Sequence, residues 1–162
     1  PLTTPRDRVS FGTHAFPFFG AVKEGKEQPS LPMLPVRLRP PGGGWSHIFN
    51  AVLDTGSTRS VIPRAMAEAI GLSRSDVAEP MQGSGADFET SPAPSDLAIV
   101  DAHYPEVTCW ELHGLTVHVP VDPKVLRYPV VGWDVLQEFE VKLIRRLERL
   151  EMRMLIHSAG SP

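Results

Sequence analysis

With 162 residues, a net charge of −3 and 41% apolar residues, the chain has the size of one domain able to bury a continuous core without disulfide or metal staples. Its mild acidity, with a pI of about 6.1, argues against nucleic acid or an anionic membrane as an obligatory partner. The lone cysteine, Cys109, excludes an intrachain disulfide and permits a reducing compartment.

No apolar run approaches the roughly 20 residues of a membrane span, and the opening PLTTPRDRVS lacks the apolar core of a signal peptide. A cytoplasmic or unassigned location is therefore expected, and a start at Pro1 fits a piece excised from a longer protein. The 17 prolines and 13 glycines interrupt the chain too often for many long helices, so short strands and turns are expected.

Residues 1–30 read as a partly ordered N-terminal arm. A polar start is followed by a phenylalanine-rich stretch from Phe11 to Gly20 and a charged, turn-forming one from Val22 to Ser30. The phenylalanines fit packing on the domain, crossing to a partner copy, or filling a cleft. Residues 31–156 read as the folded domain and 157–162 as a tail.

Leu31 to Leu53 predicts a hairpin. Leu34, Val36 and Leu38 alternate with basic or turn residues, Pro40 to Gly44 makes the turn, and Trp45 to Leu53 returns. The glycine run has no following Lys-Ser/Thr, which rejects a phosphate-binding loop. The returning strand delivers Asp54 into a Thr-Gly turn, and Val61-Ile62 resumes the apolar run. A carboxylate at a strand end is held firmly, and Gly56 beside it leaves room for a close approach.

Arg64 to Ile70 predicts a short helix ended by Gly71, and Pro80 to Thr90 a glycine-containing hairpin with Gly83-Ser84-Gly85 at its tip. Leu97 to Val100, Val107 to Leu112 and Thr116 to Val121 predict three strands, the last two separated by His113-Gly114. His103, Cys109, His113 and His118 match no standard finger or ribbon spacing, so no metal and no cofactor are expected. Tyr128 to Leu136 reads as a buried Val130-Val131-Gly132 strand entering a short helix over Val135 to Phe139. Glu140 to Ile156 is compatible with a charged helix, but the alternation of Val141 and Leu143, then Leu150, Met152 and Met154, favours two strands meeting at Glu148-Arg149.

Asp54-Thr55-Gly56-Ser57, with Val52-Leu53 before it and Val61-Ile62 after, resembles the active-site loop of the aspartic proteases. The motif occurs once in the chain. Pepsin-like enzymes carry two such loops in one long chain, whereas retroviral-type, or retropepsin-like, proteases carry one and complete the site by homodimerisation. The hairpin before the loop and the Val130-Val131-Gly132 segment after it also match the retropepsin-like order of elements.

This resemblance implies an all-β acid protease fold with one or two short helices, a closed, barrel-like single lobe, and a homodimer acting on an extended polypeptide. It makes Asp54, Thr55 and Gly56 catalytic, with the Ser57 hydroxyl supporting the Asp54 carboxylate as a donor. Gly83, Ser84 and Gly85 would form a flap, while Val130, Val131 and Gly132 would wall the substrate site. The terminal segment from Glu140 to Ile156 becomes a candidate dimer interface. The acidic residue and later arginine that pair in retroviral members are missing here; Arg59 and Asp134 are available as a charge-reversed substitute.

Other readings fit less well. A Ser-His-Asp hydrolase built from Ser57, His113 and Asp134 lacks a Gly-x-Ser-x-Gly elbow. A sugar-kinase or actin-like phosphate strand needs two large lobes, too much for the chain that follows Asp54. The serious alternative is a non-catalytic retropepsin-like homodimer serving as a binding or assembly module.

Overall fold

Frequent proline and glycine leave room for strands and for little helix, and the backbone follows that constraint. The computed structural model describes residues 12–19, 22–23, 26–27, 30–82 and 87–155. In chain order these form β1 (His14–Phe19), β2 (Val22–Lys23), β3 (Lys26–Glu27), β4 (Leu31–Arg39), β5 (Phe49–Leu53), α1 (Arg64–Ala69), β6 (Glu79–Gln82), β7 (Asp87–Val100), β8 (Thr108–Pro120), β9 (Val130–Val131), α2 (Trp133–Leu136), β10 (Phe139–Ile144) and β11 (Arg149–Met154). The architecture is all-β with two short helices, as expected.

The main sheet runs β10-β11-β1-β4-β5-β9, while β7 joins β4 and carries β6 and β8. The expected closed barrel is replaced, among the described residues, by an open sheet. β4 gives one part of its length to β1 (Phe18↔Pro32), another to β5 (Leu34↔Ala51) and a third to β7 (Leu38↔Leu97), so the sheet branches there. Both branches bury against one cluster that includes Leu34, Leu38, Ala51, Ile99, Val117, Val119, Leu136, Leu150 and Met152.

The sequence boundary at residue 31 does not coincide with the edge of this core. β1, inside the segment read as an arm, pairs with β11 (Phe16↔Leu150) and β4. Phe16 is 1% exposed, against 38% for Phe19. Alternation along a strand explains the contrast, since Phe16 points inward and its burial is worth ~1.5 to 3 kcal/mol.

Three of the expected strands merge into two long ones, because His113-Gly114 makes an irregularity within β8 instead of a turn. The pairing of β7 with β8 shifts register between Ser95 and Leu97, where Gly114 takes φ +68. Such a φ suits glycine and accommodates an extra residue in the ladder. Asp96 fixes the bulge by accepting the Gly114 N–H at 2.9 Å and the Arg39 guanidinium at 2.7 Å. These bonds, that of Gly114 above all, hold its carboxyl down at about 2.

α1 ends as expected: Gly71 has φ +75 and donates its N–H to Glu68 O. The C-terminal hairpin is also present, with Val141↔Met152 and Leu143↔Leu150 paired and Glu148 at φ 45 in its turn.

Candidate active site

The site begins with strand geometry. β5 lies antiparallel to β4 and parallel to β9, in the register Val52↔Val130 and Leu53↔Val131. That pairing buries Leu53 in the core and carries the next residue, Asp54, out into the exposed turn. The Asp54 N–H donates to Val131 O at 3.0 Å, so its backbone is the last ladder position before the turn. Ser57 N–H then closes the turn on Asp54 O at 3.2 Å. Gly56 N–H donates to Asp54 Oδ1 at 2.8 Å, which orients the carboxylate. Asp54, Thr55 and Gly56 are all exposed.

Behind this turn the β9–α2 segment crosses at backbone contact distance. A Cβ on Gly132 would lie 2.6 Å from Arg59 C and O and 2.8 Å from Ser57 O, so only glycine fits. The first N–H groups of α2 are satisfied by the loop, with Trp133 N donating to Ser57 O and Asp134 N to Thr58 O. Val61 and Val130 exchange N–H···O bonds of 2.9 and 2.8 Å on the other side of the crossing. The loop is thus held by strands before and behind it, a rigid support for a reacting group.

Several expected roles change in detail. The Ser57 hydroxyl has one proton, and it goes to Arg59 O at 2.7 Å instead of to the Asp54 carboxylate. Val131 is 1% exposed and belongs to the core; only Val130 of that pair is half-exposed and able to face a ligand, as alternation dictates. Asp134 does not take Arg59 as its partner. Its carboxylate accepts the Ser60 N–H at 2.8 Å and the Ser60 hydroxyl at 2.7 Å, and Arg59 turns to Glu79 at 2.6 Å. Gly83, Ser84 and Gly85 lie outside the described residues, although β6 and β7 pair on either side of them (Gln82↔Asp87).

Sequence reading missed a polar network joining the Asp54 loop to the arms of that hairpin. Arg59 bonds Glu79 on β6 and lies 3.4 Å from His118 Nε2, whose Nδ1 is 3.1 Å from Thr90 Oγ1 on β7. His118 is also tied into the loop through its backbone, donating to Ser60 O and accepting from Ile62 N. Burial first, then the nearby Arg59 guanidinium, lowers the His118 pKa below the usual imidazole value, against the opposing pull of Glu79 and Asp134. A histidine inside the alternating Thr116-Val117-His118-Val119 run was the available sign of it. Ser60 is buried and links three elements, since its hydroxyl also accepts the Gly132 N–H at 3.1 Å.

A family model described as aspartyl protease matches residues 42–132, which takes in β5, the Asp54 loop, the β6–β7 hairpin and the Gly132 crossing. The chain belongs to the aspartyl protease family, and its single loop in one lobe is the retropepsin-like arrangement. Among solved structures, the chain is similar to EIAV protease complexed with the inhibitor HBY-793, at 19% identity and a TM-score of 0.47, over 66% of this chain and 86% of that one. No curated protein matches the chain.

Proposed function

We propose that the protein is an aspartic endopeptidase whose active site is completed by a second copy of itself. The observation that carries the proposal is the Asp54 loop: an exposed carboxylate at a strand end, with the Gly56 N–H on one oxygen and a glycine crossing behind. One carboxylate is half of the chemistry. Two Asp54 side chains brought together across a dimer axis cannot both ionise freely, so they share one proton and titrate as a pair. The ionised member takes a proton from a water held between them, the other protonates the substrate carbonyl oxygen, and water attacks the carbonyl carbon.

In this scheme Thr55 joins the two loops at the axis. Gly56 lets the substrate backbone approach, and Val130 offers an apolar wall. The β6–β7 hairpin covers an extended polypeptide, docked by main-chain pairing with alternating side-chain pockets. The outer edge of β10 ends the strand order, and Trp133 beside the loop is 47% exposed with its indole N–H on Thr55 O. Both surfaces suit a partner copy.

The test is hydrolysis of a mixed peptide library from acid to neutral pH by the wild type and by Asp54→Asn. Turnover is expected in the wild type, with a loss of ~100-fold or more in the variant. Equal turnover in both would overturn the mechanism, and a dimer with no turnover in either form would make the chain a binding or assembly module.

A further inference from the structure

The fold gathers a second set of reactive side chains away from the Asp54 loop. His14, at the start of β1, meets Cys109 of β8 and Asp101 in the turn between β7 and β8. One ligand atom from each lies within 4.8 Å of the other two. Cys109 Sγ is 3.3 Å from His14 Nδ1, and Asp101 Oδ2 is 3.9 Å from the same nitrogen. We infer that His14, Cys109 and Asp101 form a site for a divalent transition metal of the zinc type, through Nδ1, Sγ and Oδ2.

Geometry supports the assignment. Tetrahedral zinc with ordinary bond lengths to S, N and O keeps its ligand atoms roughly 3.4 to 3.6 Å apart. The sulfur–nitrogen separation of 3.3 Å is close to this, while the carboxylate oxygen needs to close by about half an ångström on the nitrogen and by up to about 1.2 Å on the sulfur. The ligands are also held from behind. Asp101 Oδ1 accepts the N–H groups of His103 and Tyr104 at 2.8 and 2.9 Å, which leaves Oδ2 turned toward the imidazole. The His14 ring meets Trp110 edge-on, with centroids 4.8 Å apart. Outer contacts of this kind orient ligands.

Thiolate with imidazole selects zinc-like ions over magnesium or calcium. Cys109 is 2% exposed, but the His14 and Asp101 side chains are 22% and 25% exposed, which leaves access for a water as fourth ligand. Such a site would clip β1 to the β7–β8 turn.

Titration of the purified chain with Co2+ tests this, since cobalt bound by thiolate in a tetrahedral field gives a sulfur-to-metal charge-transfer band. One equivalent is expected to produce the band, Zn2+ to abolish it by displacement, and Zn2+ to raise the melting temperature. Cys109→Ser should remove the band. Asp101→Asn, which keeps the turn-forming oxygen, should weaken binding by ~10-fold or more, with circular dichroism confirming that each variant is folded. Absence of the band in the folded wild type, or affinity unchanged in folded Asp101→Asn and Cys109→Ser, would overturn the assignment. Neither result bears on the role of Asp54.

Discussion

A methyl group on Gly132 would meet backbone atoms of Arg59 and Ser57 at 2.6 to 2.8 Å, and these cannot yield cheaply because the same crossing is hydrogen-bonded through Ser60, Trp133 and Asp134. Gly132→Ala is therefore expected to cost ~1 to 3 kcal/mol in stability, as overpacking does. It should also move the Asp54 loop, which is enough to reduce turnover by ~10-fold or more. Denaturant unfolding and peptide hydrolysis measure the two effects, and wild-type values in both would contradict the crossing as described. At this scale Asp54, Gly56 and Gly132 were legible because each sits at a change of local pattern, where a strand stops or a glycine interrupts an apolar run. The Ser60–Asp134 bond was not, since its partners lie 74 positions apart and neither interrupts its own segment.

Between elements, His118 links the loop to the hairpin. Its folded pKa is depressed, burial being the largest cause. The sign follows: neutral His118 is compatible with full stability above the unfolded value of about 6.5. As pH falls below that, the unfolded chain binds the proton first and stability declines until folded His118 is protonated too. The melting temperature of wild type should thus drop more steeply below that pH than that of His118→Asn, whose amide can still face Thr90. Parallel curves would remove His118 from the acid response. β1 makes a second case. Phe16→Ala removes a side chain 1% exposed and is expected to cost ~3 to 5 kcal/mol; a loss below ~1 kcal/mol would return the segment to the status of a loose arm. Strand alternation made β4, β10 and β11 readable, whereas β1 was concealed by flanking polar and glycine-rich sequence, and β8 by a bulge whose His113-Gly114 has the composition of a turn. Bulge and turn use the same residues, and only the pairing partner tells them apart.

For the whole molecule, family membership and the all-β architecture were legible because one short loop and its two supporting segments occur in a fixed order. The closure of the sheet was not, since β4 divides its length among three neighbours and local sequence does not register that choice. Among the described residues no helix is long and apolar enough to cross a membrane. The clustering of His14 with Cys109 spans 95 positions and is likewise a product of folding alone. What the monomer leaves exposed is the Asp54-Thr55-Gly56 turn, and a hydrolase that needs two carboxylates must find the second elsewhere. The direct measurement is turnover by a fixed amount of wild type mixed with increasing Asp54→Asn chain after subunit exchange. Turnover should fall toward zero as mixed dimers, each with one Asp54, replace wild-type pairs; turnover unchanged while mixed dimers are demonstrably present would contradict a site shared between two copies.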